Sequence, residues 1–179
     1  MPELPEVETA RRGLCAHVAG AVVRDVVVHD ARVLRGCSER ALTDRLEGSR
    51  LGAAGRRGKH LLIPIDGADG SAWVLCIHFM MRGGLRLREA SEPPGRYDRV
   101  SLALSDGRAL RYEDAWGWGG FRAISPEEVE REPALSSMGP EPLGGSWNAA
   151  LLGKALRGRS AAVKTVLLDQ TVVAGVGNI

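Results

Sequence analysis

Several things are scarce in this 179-residue sequence. No apolar run approaches the ~18 residues that a membrane span requires. The start, Met1-Pro2-Glu3-Leu4-Pro5-Glu6, is acidic and proline-rich, whereas a secretory signal begins basic and continues apolar. A cytoplasmic chain with no membrane association is therefore expected. The three cysteines, Cys15, Cys37 and Cys76, form no C-x-x-C pair, which argues against a disulfide framework or a zinc knuckle. His17, His29, His60 and His78 form no H-x-x-x-H pair, so no metal site is expected. Lysine is rare, with only Lys59, Lys154 and Lys164 among 24 basic residues. There is no internal repeat.

What is present suffices for one ordinary domain, or for one domain and part of a second. At 44% hydrophobic and 26% charged the chain can bury a core, which excludes wholesale disorder. Net charge is only +2. Residues 151–179 nevertheless set Lys154, Arg157, Arg159 and Lys164 against Asp169 alone. That local excess fits a polyanion, and a solvated helix face fits it equally.

Val7, Ala10, Leu14 and Val18 make one apolar stripe, which predicts a helix over 5–19. Pro5 suits its first turn and Gly20 its stop. β-Branched residues over 21–28 predict a strand, and 39–47 a short helix. Further strands are expected over 60–65, 73–79, 84–88, 99–104, 108–112 and 120–124, with Asp106-Gly107 as a hairpin turn. Many short strands imply a sandwich or barrel. Ser125-Pro126-Glu127-Glu128 reads as a helix start. Residues 133–146, rich in Pro, Gly and Ser, read as linker. Two helices follow over 147–157 and 160–169, then a glycine-punctuated turn. The expected class is α+β: a β-sandwich with a flanking N-terminal helix over 1–125, a linking region over 126–146, and a helical piece over 147–179.

Pro2 has a chemical reading and a structural one. Removal of Met1 leaves a secondary amine. An α-amino group titrates near 7.7–8.0, against about 10.4 for lysine, so at pH 7 roughly one in ten is neutral. Such an amine is a nucleophile without burial, and its attack on a sugar C1′ gives an iminium electron sink. A helix-entry proline is the alternative. Glu3, Glu6 and Glu8 either shuttle protons beside the amine or simply complement the helix dipole. Lys59, before a strand, either reaches a phosphate or sugar oxygen as a point charge or belongs to a basic loop. Gly175-Val176-Gly177-Asn178 either offers backbone N–H groups to an anion or makes a plain turn.

Five stretches occur in order: MPELPEVETARRGL, RRGKHLLI, IHFMMRGGL, LRYEDAWGWG and LLDQTVVAGVGNI. With them the chain resembles the formamidopyrimidine-DNA glycosylase/endonuclease VIII family of base-excision repair enzymes, from Pro2 to Ile179. The resemblance implies an N-terminal β-sandwich and a helical domain carrying a helix–two-turn–helix motif. It also implies a glycosylase and abasic-site lyase acting on oxidised purines, such as 8-oxoguanine and formamidopyrimidine. The implied partner is double-stranded DNA holding such a base or an abasic site, within a bacterial nucleoid. Pro2 is implied as Schiff-base nucleophile and Glu3 as the proton donor that opens the sugar. Lys59 is implied as the lysine that contacts phosphate and assists β-elimination. Glu6 matches a position near the flipped base, and Met81 the wedge that fills the gap left by flipping. Asn178 with Gly177 matches a phosphate clamp, and Lys164 a lysine facing the lesion.

Departures from the family pattern carry expectations of their own. Asp114-Ala115-Trp116-Gly117-Trp118-Gly119 stands where the family has Asp-Pro-Arg-Arg-Phe-Gly. The arginine that pairs with the orphaned base is missing, and Trp118 takes the place of the phenylalanine wedge. Tyr97 stands at a common histidine position and Ser160 at a common lysine position. Ile179 falls inside the helix–two-turn–helix motif, before its second helix and before the family's usual zinc finger. No cofactor is expected on these residues, and the loss of phosphate contacts should impair activity. The alternative is a non-catalytic remnant that binds DNA or a partner.

Overall fold

The computed structural model describes Met1–Ile179. Helix α1 (Leu4–His17) opens the chain. Pro5 lies in its first turn, where a missing N–H leaves no hydrogen bond unmade. Val7 and Leu14 are buried on its inner face, and the chain turns away at Gly20.

Two antiparallel sheets follow. One orders β1 (Val23–Val28), β7 (Asp98–Leu104), β8 (Arg108–Asp114) and β6 (Gly83–Glu89) as β1-β7-β8-β6. The other orders β2 (Arg50–Leu51), β4 (His60–Asp66), β5 (Ala72–His78) and β9 (Gly120–Ile124) as β2-β4-β5-β9, with β3 (Gly55–Arg57) also on β4. One hydrophobic cluster draws on both: Val26, Val100, Leu102 and Leu110 from the first, Leu61, Ile63, Leu75 and Phe121 from the second. Helix α2 (Glu39–Leu46) adds Leu42 and Leu46 to the same cluster. This is the expected sandwich. β7 alternates strictly between buried and half-buried side chains, as a strand with one face inward does. β8 does not, because the 92–95 loop covers its outer face. There Arg111, 3.2 Å from Asp98, donates to the carbonyls of Pro93 and Glu92.

The region expected as linker is partly structured. α3 (Pro126–Arg131) starts with a capping box: the Ser125 hydroxyl accepts the Glu128 N–H, and the Glu128 carboxylate accepts the Ser125 N–H. A short turn of helix, α4 (Pro133–Ser136), follows. Leu135 packs on Cys76 and Ile124, outside the main core. Residues 133–146 therefore differ from a free linker, because Leu135 and Met138 have sheet residues to cover. α5 (Ala149–Leu156) and α6 (Val163–Leu168) are shorter than the two predicted helices. Only Val166 of the two is buried, and Val163 is exposed. Sequence patterning also missed β2, β3 and a single 3₁₀ turn at Ala31–Leu34, all too short to carry a period.

Ile63 is buried in β4 at the centre of the shared core. Ile63→Ala should cost about 2–5 kcal/mol, lowering Tm by roughly 5–15 °C for a chain of this size. A calorimetric shift under about 2 °C would contradict a single core shared by both sheets.

Candidate active site at the N-terminus

The two ends of the chain meet at Glu3. Its side chain is 6% exposed. The Asn178 backbone N–H donates to Glu3 Oε1 at 3.0 Å, and Lys59 Nζ lies 3.9 Å from the same oxygen. The Glu3 N–H in turn donates to Glu6 Oε2 at 2.8 Å. That bond, the largest of several influences, holds the Glu6 carboxyl below its usual range. Gly177 lies so close to the Glu3 carboxylate that a Cβ would overlap it. Glycine is needed there for close approach, not for an unusual φ.

Lys59 is placed by a small machine that sequence reading did not find. Gly58-Lys59 is the two-residue turn of the β3–β4 hairpin, with Arg57 opposite His60. Gly58 has φ +54°, and a Cβ there would press on Met138. Glu141 Oε1 accepts the Gly58 N–H at 2.6 Å, while Glu141 Oε2 lies 2.7 Å from Arg56. Arg56 also lies 3.2 Å from Glu8. Arg11, chiefly, and then Arg12 and Arg56 hold the Glu8 carboxyl down at about 2. The i+3 and i+4 spacing of Glu8 from Arg11 and Arg12 was legible. The link from Glu8 through Arg56 to Glu141 joins residues far apart in sequence and was not.

Pro2, Glu3, Glu6, Met81 and Arg82 line one open cleft of about 440 Å³. Four of the predicted residues thus converge, and Lys59 joins them through Glu3. Met81 stands in the β5–β6 turn beside Met80, whose φ of +49° is costly for a non-glycine residue. The structure does not bring every candidate to this cleft. Trp118, 54% exposed, lines a second cavity of about 490 Å³ with Met80, Arg35, His60 and His78. Lys164 is exposed on α6 and is not a cleft-lining residue. Gly177 and the Asn178 amide face Glu3, leaving Asn178 otherwise exposed. No group of three or more His, Cys, Asp or Glu side chains is placed to hold a metal ion.

The second cavity holds a histidine pair, His60 and His78, with ring centroids 4.3 Å apart. Burial, then the neighbouring His78, pushes His60 down to about 4. Burial, then the charge of Lys59, lowers His78. His60 Nδ1 is buried without a partner.

The two-sheet domain thus gathers a second-position proline, a buried carboxylate and a lysine at one end. Residues 1–121 match the formamidopyrimidine-DNA glycosylase N-terminal domain, and the chain belongs to that family. It is 44% identical over 179 residues to formamidopyrimidine-DNA glycosylase of Halorhodospira halophila and 40% identical to that of Teredinibacter turnerae. In each case the match covers all of this chain and 64% of the relative. The chain thus spans just under two thirds of the length of these relatives. Among solved structures it is similar to Lactococcus lactis Fpg in complex with DNA containing an abasic site, with TM-score 0.89 and 31% identity, over 99% of this chain and 64% of that one. The same enzyme bound to DNA containing N7-benzyl-Fapy-dG gives a TM-score of 0.88 at 31% identity, over 99% of this chain and 64% of that one. No helix is long and apolar enough to cross a membrane.

The low value for His60 has a consequence for stability. In the unfolded chain histidine titrates near 6.5, and in the fold His60 does so at about 4. Between those values the unfolded state binds more protons, so stability is full above pH 6.5 and falls as pH drops toward 4. Linkage gives a loss of about 2 kcal/mol between pH 7.5 and 5 from this residue. Urea titrations at the two pH values should show that loss, and His60→Gln should remove most of it. An unchanged midpoint in the wild type would contradict a half-buried, neutral His60.

Proposed function

We propose that this chain carries the chemical centre of a base-excision repair DNA glycosylase and abasic-site lyase acting on oxidised purines. The observation that carries this reading is the buried Glu3 carboxylate, one residue from Pro2 and 3.9 Å from Lys59 Nζ, in an open cleft. Family membership and the DNA-bound Lactococcus lactis structures support it. The setting is DNA in a bacterial cytoplasm, and no cofactor takes part.

Removal of Met1 frees the Pro2 nitrogen. Its lone pair attacks C1′ of the damaged nucleotide as the bond to the base breaks, and the proton that this nitrogen carried leaves with the base. Glu3 as the acid protonates the ring oxygen O4′, and the C1′–O4′ bond opens to the cationic iminium. The iminium acidifies C2′. Loss of that proton, assisted by Lys59, expels the 3′ phosphate by β-elimination. Glu6 faces the flipped base, Met81 fills the space that it leaves, Asn178 on the turn that Gly177 allows meets the phosphate backbone, and Lys164 faces the lesion. Trp118 enters the stack from the neighbouring loop.

Borohydride reduction on abasic-site duplex tests this reading. A covalent adduct should form with the mature chain and vanish when the terminus is blocked by retained Met1, because the nitrogen is then an amide. Pro2→Gly keeps a primary amine and should retain part of the trapping. Trapping undiminished on the blocked chain would assign the nucleophile to a lysine. DNA binding with no trapping at all would favour a non-catalytic binder.

A further inference from the structure

The sandwich has an open edge beside α1. β6 pairs with β8 alone and ends its sheet. Just past β6 the Ala90 N–H donates to the Gly107 carbonyl at 2.9 Å. Hydrogen-bonded pairs alternate along an antiparallel ladder, so Arg88, Arg86 and Gly84 also bond to β8, opposite Ala109, Arg111 and Glu113. The N–H and C=O groups of Leu85 and Leu87 therefore point away from β8, and no other backbone segment pairs with them. Only the Arg86 side chain reaches the Leu85 carbonyl, at 3.5 Å. Glu89, next in that series, is closed off: its N–H donates to Glu92 Oε1, and its carbonyl accepts the Glu92 N–H.

This short free edge borders a groove of about 170 Å³ between α1 and β6, walled by Ala10, Leu14, Val18, Leu85, Leu87 and Leu110. Gly13 also lines it, from the interior of α1, where an added Cβ would meet nothing. Glycine weakens a helix relative to alanine, and no packing inside this chain asks for it at this position. Its missing side chain keeps the groove open. The other face of β6 carries Arg86 and Arg88, both exposed. Arg86 lies 3.6 Å from Glu113, and Arg88 has no ion-pair partner. A second copy of β6 paired antiparallel at this edge would set arginine against arginine, and like charges directly opposite are destabilising. An unpaired edge is a template for an added strand, and this template is apolar on one face and basic on the other.

We propose that the β6 edge and its groove receive an extended acidic segment of a partner protein, added as a further strand of the first sheet. Residues of that segment opposite Leu85 and Leu87 are small aliphatics that enter the groove. Those opposite Arg86 and Arg88 are carboxylates on the outer face. α1 and β6 also bound the cleft of Pro2, through Pro5, Glu6 and Gly83, so a docked partner stands next to the candidate active site. The docking does not depend on the chemistry of that cleft.

The end-blocked peptide Glu-Val-Glu-Val-Glu is the probe, titrated against the full chain by fluorescence anisotropy and followed by amide hydrogen exchange. In the free chain the Leu85 and Leu87 amides should exchange fast and those of Arg86 and Arg88 slowly. With peptide at about ten times its Kd, exchange at Leu85 and Leu87 should slow about 10-fold, while Arg86 and Arg88 stay slow. Lys-Val-Lys-Val-Lys should bind about 5-fold or more weakly, because it sets like charges opposite the arginines. Methylating the valine nitrogens removes the main-chain donors and keeps every side chain, and should abolish binding. Gly13→Met fills the groove with a better helix former, and should weaken binding about 5-fold or more with no loss of Tm. Equal binding of the basic or the N-methylated peptide would overturn the proposal, as would the absence of saturable binding up to about 1 mM. Protection of Leu85 and Leu87 in the peptide-free chain would show the edge already covered by a second copy, and would overturn it too.

Discussion

A carboxylate taken out of water must be compensated where it lies, and the Glu3 carboxylate sets the terms for the rest of the structure. Its partners are the Asn178 amide and the Lys59 ammonium, from the far end of the chain and from a hairpin turn. Each partner needs support of its own. Gly177 must be small for the terminal segment to reach Glu3. The Gly58-Lys59 turn is fixed by Glu141, and Arg56 bridges Glu141 to Glu8 on α1. α1 is anchored through Val7 and Leu14 to the core of both sheets. The sandwich is thus the frame that brings residues 3, 59 and 178 to one point.

The molecule divides its work between elements of different rigidity. The candidate chemical groups sit on helix and hairpin ends tied down by charged hydrogen bonds. Met81, Trp116 and Trp118 stand on turns between strands, partly exposed. Those turns are not loose: Met80 and Arg35 are held at positive φ, and Asp114 and Arg35 secure the tryptophan loop. A cavity lies on either side of the β5–β6 turn, one lined by Met81 and the other by Met80.

Much of this was legible in the sequence because it is periodic or local. The stripe of α1, the alternation of β4 and β7, the Asp106-Gly107 turn and the Ser125 capping box are written within a few residues of one another. Pro2, Glu3 and Lys59 carry a chemical reading in the sequence, each with a bland alternative beside it, and the structure brings them to one end of the sandwich. The convergence of Glu3 with Asn178 was not legible, since 175 positions separate them. Nor was the role of Glu141, which lies in a Pro/Gly-rich stretch that composition marks as linker. Long-range ion pairs leave no period, and the buried Arg111–Asp98 pair was invisible for the same reason. Gly177 read as a turn or an anion nest, whereas its small size serves Glu3.

The contact that ties the chain ends together can be watched directly by amide hydrogen exchange at Asn178. The Glu3–Asn178 bond predicts a protected amide in the wild type, and exchange about 10-fold or more faster in Glu3→Ala, as loss of a charge-assisted hydrogen bond implies. Exchange at Ile63 and Ile77, inside the second sheet, should stay unchanged. Rapid exchange at Asn178 in the wild type, or protection that survives Glu3→Ala, would contradict a site organised around this carboxylate.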